Sequence, residues 1–297
     1  MIGKVLIFGG GGFVGGNLAT IARQTGWTVS IADSAYRPGI DWAEWNVVDI
    51  TSRGAVRRTM RDVKPDAVVN VAAIANIDLA EKERDLAWSV NVEGARYVAE
   101  GCAELGARLV FFSSDAVFAG TATIYTEDDE PAPVNYYGLT KAEAERGVLS
   151  VIPDAAVTRL SLVMGFPVTG GNSFFAGLEG KLEKGQTVSA PVSEIRTPVD
   201  VITLSECVLE LAGCTFSGLL HIGATSSINR YDLTQRVARR MGFDEGLIVV
   251  APEDDAPGRA PRHRNGIISV AKAQSVLRTR LLSVDEGIER AFDARLS

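Results

Sequence analysis

The chain has 297 residues, enough for one large domain or two modest ones with a sizeable buried core. Its 46% apolar and 23% charged residues are the balance of an ordinary globular protein, which excludes an intrinsically disordered chain. A formal net charge of −7 excludes a broad nucleic-acid footprint, because that needs clustered Lys and Arg.

In chain order, short apolar runs alternate with helix-period segments, the pattern of βαβ units around a parallel sheet. Lys4–Phe8 reads as a strand, Gly15–Thr25 as a helix stopped by Gly26, and Thr28–Ala32 as a second strand. Trp45–Val48 reads as a short third strand, and Thr51–Asp62 as a helix capped by Asp49 or Thr51. Ala67–Ala72 is a fully apolar strand. Asp85–Leu105 is predicted as one long helix, with Leu86, Val90, Val98, Cys102 and Leu105 on a single stripe and Gly106 as its stop. Strands follow at Leu109–Phe112 and Ala155–Val163.

Beyond about residue 165 the pattern loosens. A helix opens after Gly170-Gly171-Asn172 and runs to Lys184, and Thr203–Ala212 and Arg230–Met241 also read as helices, with a strand at Leu219–Ile222. Ala251–Arg264, with three prolines, reads as a long loop of the kind that carries function. The expected architecture is α/β: a doubly wound parallel Rossmann sheet with an interleaved smaller substrate-binding lobe. Residues 1–164, with returning segments at about 198–223 and 266–297, form the dinucleotide-binding domain; 165–197 and 224–265 form the lobe.

Cys102, Cys207 and Cys214 are too scattered for a disulfide framework or a zinc site, and no metal is expected. A reducing cytoplasm fits them. The apolar run after Lys4 ends within four residues, too short for a secretory signal, and no segment approaches the roughly 18 apolar residues of a membrane span. His221 on its apolar strand reads as a satisfied core residue, and His263 shows no ligand spacing with it.

The chemistry begins at Gly9-Gly10-Gly11-Gly12-Phe13-Val14-Gly15. Gly10, Gly12 and Gly15 give G-x-G-x-x-G, while Gly9, Gly12 and Gly15 give G-x-x-G-x-x-G. In either spacing, glycine permits a tight strand-to-helix turn and lets backbone N–H groups approach a pyrophosphate. A strand before, a helix after, and Asp33 ending the second strand make this a dinucleotide site. An acid at Asp33 accepts hydrogen bonds from the adenosine ribose 2′-OH, which favours NAD; Arg37 nearby suits a 2′-phosphate and leaves NADP open. Asp49 and Ile50, after the third strand, are placed at the adenine.

Tyr137 and Lys141 lie four apart on one helix face, and Ser113-Ser114-Asp115 puts hydroxyls at the C-terminal end of a strand. A free tyrosine titrates near 10, and a neighbouring ammonium lowers that value. Ser114 to hold a substrate oxygen, Tyr137 to exchange its proton and Lys141 to support the phenolate suit proton transfer coupled to hydride transfer.

These pieces resemble an extended short-chain dehydrogenase/reductase over essentially the whole length. The resemblance rests on Gly9–Gly15, Asp33, Asn70-Val71-Ala72-Ala73, Asn91, Ser113-Ser114-Asp115 and Tyr137–Lys141. Within that family the chain is most similar to dTDP-4-dehydrorhamnose reductases, through Pro65–Ala73, Asp78, Ala80-Glu81, Val117-Phe118, Pro133-Val134-Asn135 and Gly171-Asn172-Ser173-Phe174. The resemblance implies Ser114, Tyr137 and Lys141 as catalytic triad, Ala72 and Ala73 along the cofactor groove, and Asn91 as anchor of the active-site backbone or a water. It also implies a nucleotide-sugar substrate met by Asp115, Asn172 and Arg196, and a homodimer through the Asp85–Leu105 and Tyr137 helices; Arg262, with Arg259 and Arg264 beside it, is a second candidate for the substrate diphosphate, the alternative being solvated loop arginines. Ala116 and Ala119 depart from the group, which carries an aromatic and an acid there; related dehydratases have Glu at the first position, so Ala116 speaks against water elimination. Three functions stay open: a reductase of a nucleotide-activated keto-deoxysugar, an NAD-dependent sugar-nucleotide epimerase, and a non-catalytic dinucleotide-binding regulatory subunit.

Overall fold

Apolar runs too short for helices line up as strands, and the amphipathic segments between them cover both faces. The computed structural model describes residues 3–171, 173–251 and 259–296. Its first half runs β1 (Lys4–Phe8), α1 (Phe13–Gln24), β2 (Thr28–Asp33), β3 (Glu44–Val47), α2 (Arg53–Val63) and β4 (Ala67–Asn70). Then come α3 (Ile77–Lys82), α4 (Arg84–Trp88), α5 (Ala95–Leu105), β5 (Arg108–Ser114), α6 (Tyr136–Val151), β6 (Ala156–Leu160) and β7 (Val163–Met164). The second half holds α7 (Phe174–Leu182), β8 (Val188–Ala190), β9 (Ile195–Arg196), β10 (Val199–Asp200), α8 (Val201–Ala212) and β11 (Gly218–Ile222). It ends with β12 (Ile228–Asn229), α9 (Arg230–Arg240), β13 (Ile248–Val250), β14 (Asn265–Gly266), α10 (Ala271–Val276) and α11 (Val284–Leu296).

Seven parallel strands pair in the order β11-β6-β5-β4-β1-β2-β3, so the α/β Rossmann-type sheet is as expected. Strands buried on both faces need apolar side chains throughout, and Val5 to Phe8 and Ala67 to Val69 supply them at 1% exposure or less. Leu18, Leu204, Val208 and Leu211 pack on one face of the sheet; Val56, Met60, Val98 and Val148 pack on the other. A third core unites Met164, Phe175, Leu178, Val237, Ile288 and Phe292 in the smaller lobe. The C-terminal α11 joins this lobe core, while α10 packs on β11 of the sheet.

Several elements differ from expectation. Asp85–Leu105 is not one helix: α4 passes into a π-helical turn at Ser89–Gly94 before α5. Leu86 and Leu105 of the expected buried stripe are exposed. The cap of α2 is Ser52; Asp49 instead accepts the N–H of Thr51 at 2.9 Å. The short helix α3 went unread.

Candidate active site

The strand order reverses between β1 and β4, and open α/β sheets bind ligands at the carboxyl ends beside such a reversal. The glycine turn lies there. Gly9 has φ +79°, and a Cβ on it would stand 2.7 Å from the Ala72 nitrogen. A Cβ on Gly15 would stand 2.2 Å from the Gly9 carbonyl oxygen, so strand and helix meet backbone to backbone. The N-cap residue of α1, Gly12, brings no side-chain cap, which leaves first-turn N–H groups and the positive helix end for an anion. Gly9, Gly12, Phe13, Val14 and Gly15 all line one cleft of about 840 Å³.

Asp33 ends β2 beside the turn: its Oδ2 accepts the Gly11 N–H at 2.9 Å and its Oδ1 that of Ser34 at 2.8 Å. A Cβ on Gly11 would touch both Asp33 Oδ2 and the stem of Arg37, so acid and guanidinium flank the same edge. This cradle fits a dinucleotide.

The other cofactor-side residues divide. Ala72 backs Gly9, while Val71 and Ala75 form the cleft wall and Ala73 lies outside its lining. Ile50 is buried in the sheet's second core against Gly94, and Asp49 accepts the Thr51 N–H and hydroxyl through one oxygen in the turn before α2. Asn91, on the π-helical turn, holds Ile74 through both N–H and carbonyl and donates to Thr140 Oγ1 at 2.9 Å. It braces the wall of the site and helix α6.

Ser114 and Tyr137 both line the cleft, while Lys141, four residues on along α6, is buried outside that lining. Asn135 caps α6 by accepting the Gly138 N–H at 2.8 Å, and a Cβ on Gly138 would lie 2.0 Å from the Ala116 carbonyl oxygen. The start of α6 therefore rests on the turn that follows β5, and Tyr137 and Ser114 line the same cleft. Burial, reinforced by Asp115, pushes the Tyr137 hydroxyl up to about 12 against the lowering influence of neighbouring Ser114. The expectation that Lys141 lowers it is not met: the Lys141 ammonium lies over the Phe111 ring, 4.4 Å from its centroid. Burial pulls Lys141 down to about 8, opposed by Glu145 one turn along α6.

Glu145 is held in turn by Arg159 on β6, with Nε 3.0 Å from Oε1 and the terminal nitrogen 2.8 Å from Oε2, and by the Ser113 hydroxyl. This buried pair was not read from the sequence, although its signal is there: Glu145 stands four residues after Lys141 on the same helix. His221 pairs with Arg159 across β11 and β6 and is fully buried. It is not satisfied as expected, since neither ring nitrogen has a hydrogen-bond partner among the described residues. Burial, with Arg159 nearby, pushes its pKa down to about 3.

On the lobe side of the cleft stand Arg196, Arg230, Arg259, Arg262 and Lys181. Arg196 is spent inside the protein: its fork donates to the carbonyls of Ile195, Arg264 and His263, with Asp115 3.7 Å from Nε. It braces the loop and has no free fork for a phosphate. Arg262 pairs with Asp78 at 2.8 Å while lining the cleft. Arg230, missed in the sequence, stacks on Phe174 at 4.4 Å, and burial lowers its pKa to about 10. Asn172 lies outside the described residues. Asp115 accepts the Ser161 hydroxyl at 2.9 Å; burial pushes it up, yet His263, Arg196 and Ser161 outweigh that and hold it below the usual carboxylate range. Among the described residues no group of three His, Cys, Asp or Glu is placed to hold a metal ion, and no helix is long and apolar enough to cross a membrane.

Comparison with known proteins extends this picture. The chain is 30% identical to the dTDP-4-dehydrorhamnose reductase of Mycolicibacterium smegmatis, over 99% of this chain and 86% of that one. It is 27% identical to methionine adenosyltransferase 2 subunit beta of Xenopus tropicalis, over 92% of this chain and 82% of that one. Its structure superposes with a TM-score of 0.89 on the dTDP-4-dehydrorhamnose reductase of Bacillus anthracis in complex with NADP, at 25% identity, covering 99% of this chain and 100% of that one. The model of the RmlD substrate binding domain matches residues 3–296. The chain belongs to the RmlD substrate binding domain family, in the extended short-chain dehydrogenase/reductase fold.

Proposed function

We propose that the chain is an NAD(P)-dependent reductase of the keto group of a nucleotide-activated deoxysugar, of the dTDP-4-dehydrorhamnose reductase kind. The observation that carries this is one cleft shared by the glycine turn, Ser114, Tyr137 and a set of lobe cations. The dinucleotide, when bound on Gly9–Gly15, supplies the hydride. Tyr137, pushed up to about 12, holds its proton firmly until an alkoxide develops, then gives it to the carbonyl oxygen. Ser114 bonds that same oxygen and sets its place. Lys141, one turn along α6 and held over Phe111, contributes positive charge to the site. Arg230, Arg259 and Arg262 offer the cationic wall that a diphosphate needs, and Phe174 stacked with Arg230 offers a flat face for a base. Ala116, buried at 2% exposure, brings no acid for water elimination.

The reading is tested by following NAD(P)H consumption with a dTDP-4-keto-6-deoxy sugar. Steady consumption is expected, and Tyr137→Phe should lose on the order of 100- to 10,000-fold in kcat. Near wild-type turnover in that variant would remove Tyr137 from its role. A dinucleotide retained through turnover without net consumption would favour the epimerase, and no turnover with any keto-sugar nucleotide the regulatory subunit. We place the enzyme in the cytoplasm, on its three unpaired cysteines. We also infer a homodimer, because exposed Leu79, Leu86, Leu105 and Leu139 lie on α3 to α6.

A further inference from the structure

Gly16 follows the glycine fingerprint and belongs to neither spacing, yet it is buried on α1. A Cβ on it would stand 2.6 Å from Thr169 Oγ1. Thr169 lies between β7 and α7, where the chain enters the smaller lobe, and is 8% exposed. Two more glycines are kept free of side chains around the same segment. A Cβ on Gly39, in the loop after β2, would lie 3.1 Å from the Val168 carbonyl oxygen, and one on Gly171 would lie 2.9 Å from the Phe13 nitrogen. Asn17 adds a tether: its amide donates to the Phe13 carbonyl at 2.8 Å and to the Phe166 carbonyl at 3.0 Å. The lobe segment is therefore docked on the start of α1, against the glycine turn.

Four consecutive glycines give that turn little stiffness of its own. Gly11 is pinned from outside on both of its backbone groups. Asp33 Oδ2 accepts its N–H at 2.9 Å, and the Thr169 hydroxyl donates to its carbonyl oxygen at 2.9 Å, with the Gly12 carbonyl 3.5 Å away. A carbonyl rotated the other way would bring its negative end to the first-turn N–H groups of α1 and oppose an anion there. With the carbonyl held, the Phe13 N–H takes no backbone acceptor among the described residues. Thr169 itself lies outside the lining of the cleft. We propose that Thr169 is a positioning residue of the dinucleotide site: from the lobe it holds the Gly11 carbonyl away from the anion seat and so preorganises the turn for a diphosphate. This rests on the reading that the glycine turn receives the dinucleotide.

The test is calorimetric titration of the full chain with NADH, ADP and AMP. Thr169→Val should weaken NADH and ADP by about 3- to 10-fold and leave AMP, which lacks the diphosphate, within about twofold. Thr169→Ser, which keeps the hydroxyl, should bind all three as wild type does. Gly16→Ala, which sets a methyl against that hydroxyl, should reproduce the loss in the wild-type background and add nothing to Thr169→Ala. If Thr169→Val does not fold, Gly16→Ala decides alone, since alanine favours the helix it sits in. Undiminished affinity for NADH and ADP in a folded variant, or an equal loss for AMP, overturns the proposal, and the dinucleotide reading stands as long as wild type binds ADP more tightly than AMP. If wild type binds AMP as tightly as ADP, the turn receives no diphosphate and both fall.

Discussion

Glu145→Gln separates two jobs that one carboxylate performs. Its side chain and that of Arg159 are 4% and 2% exposed, and they share charge-assisted bonds of 2.8 and 3.0 Å. Removing one partner of such a pair costs about 3–5 kcal/mol, because the other charge stays buried. Gln keeps the shape and part of the hydrogen bonding, so a loss of about 3 kcal/mol is expected in urea unfolding. The second job is electrostatic. Burial already holds Lys141 at about 8, and Glu145 opposes that pull. Without the carboxylate the Lys141 pKa falls further. Activity needs the ammonium, so its loss with rising pH begins at lower pH, and the alkaline limb of the kcat profile moves toward acid. Replacing both partners by apolar residues, as in Glu145→Met with Arg159→Met, should recover much of the stability and still leave the limb displaced. A limb that stays in place while stability drops would refute the electrostatic job. A stability loss below about 1 kcal/mol would refute the claim of a buried pair.

Two further outcomes follow from the same geometry. His221, pushed down to about 3, stays neutral in the fold but takes a proton near 6.5 when unfolded. Its contribution is therefore intact above about 6.5 and lost as pH falls toward 3; wild type should lose about 2 kcal/mol more than His221→Phe between pH 7 and 5, and parallel stability curves would contradict this. Gly138→Ala sets a Cβ 2.0 Å from the Ala116 carbonyl oxygen and lifts α6 off the β5 turn. It should lower kcat/KM on the order of 100-fold while dinucleotide fluorescence titration is unaffected; full activity would show that this contact does not set the Tyr137–Ser114 geometry.

The sheet was legible because each strand is an apolar run that only a two-faced burial explains, and the glycine turn because so few residues tolerate its backbone contacts. The Asp85–Leu105 segment misled, since periodicity sees apolar spacing but not the π-helical turn that carries Asn91 to Ile74 and Thr140. The lobe was opaque for a different reason: β9, two residues long, pairs with β12 and β14, which lie far along the chain. The serine, tyrosine and lysine of the proposed triad could be named from the sequence, yet their environment could not. Nothing in the sequence says that Lys141 lies over Phe111, that Arg196 spends its fork on carbonyls, or that His263 arrives beside Asp115.

Asp33 accepts the N–H of Gly11 across the glycine turn. The acid expected to hold the adenosine ribose is thus also a strut of the turn expected to hold the pyrophosphate. An engineer who swaps Asp33 to change the preferred dinucleotide alters both ends of the cradle at once. Arg37, whose stem shares the Gly11 edge, offers a second position at the same corner for such a redesign.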